Sequence, residues 1–385
     1  MIGVAGLIAA VLAPPALAAP DDLACHQEPG SRFYWVERAF CDLEMAGPQR
    51  AHGLVIWNHG ISGTTESWRA PAAPVLRLIQ VRGWDVIMLK RHHLAETMPG
   101  GPLDRTVKRT LAEAAAQRQA GYKKIVLAGQ SFGGYVTLEA IDTAPDIDAA
   151  IAFSPGVRVS GASGALDPAV VERILERARV GRLAVVLPKN DALFGNIARG
   201  VRARPILAKR DFPWLMVDET SPGDIVGHGG GVTGRFALRY GACLAEFLDA
   251  MTPAPGQFSC ERKSDDARVV RDLLLPLGTR LSVATNDADV PPQLRPFLGA
   301  RWALLGDTVA LVAPVVDRGK VRLVYRTAGA SPGVYDAVIA DGVVTAILRN
   351  KATVQLSAEG DGTIIWTSAD RSITLKGSLT RVEDP

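Results

Sequence analysis

The sequence predicts an α/β fold, a doubly wound and mostly parallel sheet, followed by a smaller all-β region. Three observations carry this. Between Gly53 and Met251, short continuous apolar runs alternate with helix-like segments. One such run leads through a glycine-flanked serine straight into a helical segment. After Cys260 the helix signals fade, and short strand-like runs separated by Gly and Asp turns take over.

The apolar runs are 54–57, 84–89, 124–128, 149–153, 183–187 and 213–217. Strands covered by helices on both faces have this unbroken apolar character, because neither face meets water. The helix candidates between them are 72–81, 103–120, 135–143, 168–178 and 235–250. Asp167 before Pro168 is a good N-cap followed by a proline at the first helical position. Repeated strand–helix–strand units of this kind build a doubly wound sheet. Residues 33–36 and 40–46 read as antiparallel edge strands. The C-terminal strand candidates are 309–316, 321–326, 334–339, 343–348, 353–358, 363–368 and 372–379. Turn-forming dipeptides Arg318-Gly319, Asp341-Gly342 and Asp361-Gly362 punctuate them, which predicts a small antiparallel barrel or sandwich. The expected divisions are a signal peptide over 1–18, an α/β domain over 19–262 and a β-rich domain over 263–385.

The N-terminus bears on location. Residues 2–12 are apolar and uncharged, Pro14-Pro15 ends the run, and Ala16-Leu17-Ala18 offers a small-x-small cleavage site. This reads as a secretory signal peptide, too short for a stable membrane span. The expected mature chain begins near Ala19, is exported, and has no membrane-spanning segment. The four cysteines agree: an even count in an exported chain points to two disulfides. Four cysteines allow three connectivities, and proximity favours Cys25–Cys41 and Cys243–Cys260; buried free thiols are the alternative. None forms a Cys-x-x-Cys pair, so no metal site is expected. The net charge of +3, with 22% charged residues and no clustered basic face, argues against a nucleic-acid partner.

The chemistry centres on Gly129-Gln130-Ser131-Phe132-Gly133. A strand before it and a helix after it form a sharp turn that lifts the serine hydroxyl above the sheet. The flanking glycines let the turn tighten, and the helix N-terminus favours developing negative charge. An ordinary Gly-rich turn is the bland alternative. A serine hydroxyl needs a base to take its proton. Of the six histidines, only His228 follows Ser131, and it lies in the glycine-rich loop 226–231 after the last strand candidate. The acid is expected after the run 183–187, where Asp191 stands; Asp218, Glu219 and Asp224 are its rivals. An oxyanion hole needs two backbone N–H groups. Phe132 is expected to give one and Ile61, in the loop Asn58-His59-Gly60-Ile61, the other. His59 then has a structural role, and its use as the base would break the chain order. His92-His93 follow the run 84–89 and are placed near the pocket mouth, without the ligand spacing of a metal site.

These motifs together resemble the α/β-hydrolase superfamily, within it the dienelactone-hydrolase-like and secreted esterase branches, over residues 33–251. The resemblance implies an eight-stranded sheet, a Ser131–His228–Asp191 triad and no cofactor. Dienelactone hydrolases carry Cys where this chain has Ser131, so their specific activity is not transferred. The short span between 153 and 183 leaves room for one helix and no large lid. The C-terminal region is loosely similar to small lipocalin-like barrels. The expected activity is hydrolysis of a small-molecule or polymer carboxylic ester through an acyl-enzyme on Ser131. A serine peptidase or amidase on the same fold is the first rival, and a binding protein with a vestigial hydrolase domain is the second. Oligomeric state is left open by the sequence.

Overall fold

A computed structural model describes residues 23, 25, 27–28, 30–62, 65–66, 68–92, 101–144, 146–157, 168–221, 225–251, 253–259, 292–297, 300–305, 309–317, 320–327, 332–367 and 374–382. In chain order the first part comprises β1 (Tyr34–Arg38), β2 (Leu54–Asn58), a small hairpin β3 (Ile61–Ser62) and β4 (Thr65–Glu66), α1 (Pro74–Val81), β5 (Asp85–Arg91), α2 (Gly101–Gln119), β6 (Ile125–Gln130), α3 (Phe132–Thr143), β7 (Ala149–Phe153), α4 (Pro168–Arg177), β8 (Leu183–Val186), α5 (Arg199–Leu207), β9 (Pro213–Val217), α6 (Gly234–Asp249) and β10 (Gly256–Gln257). Eight of these strands form one sheet, in the order β1-β5-β2-β6-β7-β8-β9-β10. Only β1 runs antiparallel, against β5.

The unbroken apolar runs are explained by two cores, one on each face. Val55, Trp57, Val126, Ile151, Val186 and Leu215 face α1 and α6. Their sequence neighbours Leu54, Ile56, Ile125, Ala150, Val185 and Trp214 face the layer of α2, α3, α4 and α5. Alternate residues of a strand point to opposite faces, so both sets must be apolar when helices cover both.

The second part comprises β11 (Arg301–Leu305), β12 (Val309–Asp317), β13 (Lys320–Thr327), β14 (Gly333–Ala340), β15 (Val343–Ile347), β16 (Thr353–Ser357), β17 (Gly362–Thr367) and β18 (Thr374–Val382). These close into an antiparallel barrel, β18 pairing back onto β11. Closure leaves no free sheet edge. Trp302, Val312, Leu323, Val344, Val354 and Leu356 fill its interior, together with Leu294 and Phe297 of the 3-10 turn Pro292–Phe297. The Asp341-Gly342 pair turns β14 into β15 with φ of 50° and 71°, as a two-residue hairpin loop of type I′ requires.

The barrel is joined to the α1/α6 face of the first part. Ala303, Leu311, Val315 and Val324 belong to the same buried cluster as Val75, Leu78, Tyr240 and Leu244. That is why β12 is apolar at nearly every position, while β14 alternates half-buried and exposed residues. Inside that contact, Asp42 accepts two hydrogen bonds from Arg77 of α1, at 2.9 and 2.7 Å, and a third at 3.4 Å from Arg326 of β13. Both guanidinium groups are buried, and Asp42 compensates charge on each.

One expectation is corrected, and further elements are found. Residues 40–46 form a loop rather than an edge strand, tied down by the Asp42 contacts and by the Cys25–Cys41 disulfide, with Cα atoms 5.8 Å apart. α5 is an additional helix. Gly200 and Pro205 lower its intrinsic helicity, and it forms because Ala203 and Leu207 are buried and Glu219 accepts from the N–H groups of Gly200 and Val201. β10 and β11 are strands the sequence pattern does not mark. Of the two expected forms of the β region, barrel or sandwich, it is the barrel. Cys243 is also disulfide-bonded; its expected partner, Cys260, lies outside the described residues. So do residues 1–18, Asp167, His93, Asp224 and the Arg318-Gly319 turn. Among the described residues, no helix is long and apolar enough to cross a membrane.

Candidate active site

Ser131 stands between β6 and α3 with φ 55° and ψ −119°. A non-glycine residue there is strained by about 1–3 kcal/mol, and the surrounding structure must enforce it. The glycines explain how. A Cβ on Gly133 would sit 1.9 Å from the carbonyl oxygen of Asn58, and one on Gly129 would sit 2.3 Å from that of Gly133. Helix α3 therefore starts in direct contact with the end of β2, which a side chain at either position would prevent. The Ser131 main chain is held as well, its N–H donating to Phe153 O at 2.9 Å and its carbonyl accepting from Gly156 N at 3.1 Å.

The acid and the histidine come from neighbouring loops after β8 and β9. These loops are stitched together: Lys189 N donates to Ile225 O at 3.2 Å and Gly227 N to Lys189 O at 2.8 Å. Gly227, with φ 76°, then turns the chain so that His228 faces back. The structure brings Ser131, His228 and Asp191 together. His228 Nε2 lies 2.8 Å from Ser131 Oγ, and His228 Nδ1 lies 2.9 Å from Asp191 Oδ2. Asp191 Oδ1 accepts from Leu193 N at 3.1 Å, which orients the carboxylate. The Asp191 side chain is 1% exposed, that of His228 17%, so the histidine, not the acid, meets solvent. With a carboxylate on Nδ1, that nitrogen carries the proton and Nε2 is left to accept from the serine hydroxyl.

Of the rival acids, Asp218 and Glu219 are engaged elsewhere. Asp218 accepts from Arg204 at 2.5 Å and from the Thr220 hydroxyl at 2.6 Å. Burial opposes its ionisation, but these bonds prevail and hold its carboxyl below the usual 3.8. Glu219 serves the N-terminus of α5.

Gly60 lies against the serine turn; a Cβ there would be 3.3 Å from Ser131 Cβ. Ile61 is the next residue, and Phe132 opens α3, where the first N–H groups of a helix have no intrahelical partner. His59 is fully enclosed beside them. Its Nδ1 donates to Gly60 O at 2.8 Å, and its Nε2 accepts from Arg91 N at 2.9 Å. Burial, reinforced by the Arg91 charge, pushes it well below 6.5. It is a neutral brace for this loop. His92 is exposed and packs edge-on against Trp68, with ring centroids 6.1 Å apart. Among the described residues no cluster of His, Cys, Asp or Glu could hold a metal ion.

Residues the sequence did not single out also surround the site. The Phe194 ring lies 6.1 Å from that of His228, and the Arg199 guanidinium lies 3.5 Å over the Phe194 ring. No sequence signal marks Arg199, which reads as one of several charges in 199–204.

No protein-family model matches this sequence, and no curated protein matches it. Among solved structures, similarity is found to a puromycin-hydrolysing peptidase of Mycobacterium tuberculosis, at 16% identity over 58% of this chain and 39% of that one, TM-score 0.39. It is also found to an esterase of Pyrococcus furiosus, at 16% identity over 51% and 82%, TM-score 0.38, and to dipeptidyl peptidase 4 of Porphyromonas gingivalis, at 17% identity over 56% and 33%, TM-score 0.37. This chain thus spans well under half the length of either peptidase. Likeness at this level carries no argument about fold or activity. The strand order of this chain carries the fold: seven parallel strands with an antiparallel edge strand, a strained strand–Ser131–helix turn at the fourth position, and loops after β8 and β9 that converge on it. The chain has the α/β-hydrolase fold, followed by a closed eight-stranded antiparallel barrel.

Proposed function

We propose that this protein is an exported serine hydrolase that cleaves carboxylic esters through an acyl-enzyme on Ser131. The observation that carries this is the unbroken hydrogen-bond line from Ser131 Oγ through His228 to Asp191. In this reading His228 Nε2 takes the hydroxyl proton as Oγ bonds to the ester carbonyl carbon. The N–H groups of Phe132 and Ile61 receive the oxyanion. The C–O bond to the alcohol then breaks, and His228 returns the proton to the leaving oxygen. Water, activated by the same histidine, releases the acid and restores Ser131. Asp191 holds the Nδ1–H tautomer and balances the imidazolium charge. No step requires a cofactor.

Leu193, Ile197, Val201 and Val226 are all exposed and lie in the segments that carry or flank the acid and the histidine. They favour an ester with an apolar acyl or alcohol group over a strongly polar one. The catalytic work falls to residues 19–262, with 263–385 as a β-rich companion. Export is supported by the apolar leader over residues 2–12 and by the disulfides at Cys41 and Cys243.

The test is direct. The full chain should hydrolyse p-nitrophenyl esters and react with a fluorophosphonate probe at Ser131. Ser131→Ala should lower turnover by several orders of magnitude. Full activity in that variant would refute the assignment. Faster turnover of peptides than of esters would shift the reading to a peptidase or amidase. No labelling of the folded wild type would leave a non-catalytic binding role.

A further inference from the structure

Arg199 is placed where its charge is costly. It opens α5, and its side chain is 5% exposed. Burial pulls the guanidinium down to about 10, against the attraction of Asp191, Glu172 and Glu219. Glu172 is paired with Arg202, and Glu219 is spent on the α5 N–H groups. Asp191 is therefore the carboxylate left to face it. Replacing a buried ion pair by apolar chains of similar volume is often neutral or stabilising, so stability alone does not call for a charge pair here.

Its three contacts lie on three parts of the site. Nη2 donates to Pro155 O at 2.6 Å, in the turn whose Gly156 N–H holds the Ser131 carbonyl. The guanidinium plane covers Phe194, whose ring packs on His228. Nη1 lies 3.9 Å from Asp191 Oδ2, the same oxygen that faces His228 Nδ1. Nη1 is buried and has no hydrogen-bond partner among the described residues. It stands about 1 Å beyond the usual hydrogen-bond distance from Asp191.

We propose that Arg199 is a positioning residue, joining the acid loop to the turn beneath Ser131 and holding Asp191 against His228 through the catalytic cycle. Nη1 closes onto Oδ2 as the imidazole becomes charged and the carboxylate tightens on it. A planar, two-pronged donor can serve Pro155 and Asp191 together; a lysine ammonium on a flexible stem cannot span both with the same geometry.

The proposal rests on Ser131 being the nucleophile, so the experiment separates the two. The rate of fluorophosphonate labelling of Ser131 is measured in the full chain, which needs no knowledge of the substrate. Arg199→Met should label about 10- to 100-fold more slowly, the cost of a mispositioned catalytic group, in a variant that a thermal melt shows to be folded. Arg199→Lys should fall between. Arg199→Ala should be slow and should partly recover in millimolar guanidinium chloride, which a merely structural role would not allow. Folded Arg199→Met labelled within twofold of wild type would overturn the positioning role while leaving Ser131 as nucleophile. If Arg199→Met fails to fold, wild-type labelling rates in Arg199→Lys, or no guanidinium rescue of Arg199→Ala, would overturn it. A folded wild type that is not labelled at all would remove both readings.

Discussion

Asp191→Asn preserves volume and removes one charge, and the geometry around the carboxylate leaves the amide no workable arrangement. Asp191 Oδ1 accepts from Leu193 N at 3.1 Å and Oδ2 faces His228 Nδ1 at 2.9 Å. An asparagine has one acceptor and one donor end. If its oxygen serves Leu193, its NH2 points at Nδ1 and forces the proton onto Nε2. Nε2 then cannot accept from Ser131 Oγ. If the amide flips, its NH2 meets the Leu193 N–H, donor against donor, in a site 1% exposed. Both arrangements fail, the first catalytically and the second structurally. The expected loss is about 10⁴-fold in kcat, as for the tautomer error in triads generally, which corresponds to about 5.4 kcal/mol of barrier. The assay is p-nitrophenyl ester turnover of purified variants whose folding is checked by thermal unfolding, with Asp218→Asn as the comparison. Asp191→Asn retaining a tenth or more of wild-type kcat, or Asp218→Asn matching its loss, would refute the assignment of the acid.

Other predictions concern strain, charge and covalent structure. Ser131→Gly should abolish turnover yet raise stability by on the order of 1–3 kcal/mol, because glycine adopts φ 55° without the Cβ conflict; Ser131→Ala should show no such gain in a thermal melt. Asp42→Ala should lose about 3–5 kcal/mol, since it removes the carboxylate paired with two buried arginines at the contact with the barrel. Burial alone would raise the Asp42 carboxyl, but its bonds to Arg77 hold it below 3.8. Its contribution is therefore complete above about pH 4 and disappears as pH falls through the lowered value, so the urea-unfolding difference between wild type and Asp42→Asn should shrink only in strong acid. Cys25→Ala with Cys41→Ala should cost about 3 kcal/mol, the closure entropy of a loop with a sequence separation of 16, read as a lower unfolding midpoint than in the oxidised parent.

Much of the fold was legible because burial on both faces leaves a mark in the sequence. Runs such as Leu54–Trp57 and Leu183–Leu187 stay apolar at odd and even positions, which only a doubly covered sheet needs. The Gly129-to-Gly133 turn was legible because its steric demand admits glycine alone at the two close approaches to neighbouring carbonyls. Chain order singled out His228, and position after a strand singled out Asp191. Other features depend on contacts distant in sequence. Helix α5 owes its ends to Glu219 and its face to Ala203 and Leu207, not to propensity. The barrel's seat on α1 and α6 becomes visible only once Arg326 meets Asp42, 284 residues away. Arg199 reads as one surface charge among several until the fold buries it beside Asp191. The sequence alone thus determined the sheet, the serine turn and the candidates for the charge line, because local sterics and two-sided burial act on neighbouring residues. Tertiary structure alone decided how that line is braced and where the barrel sits, because those depend on which buried charges the folded chain forces together.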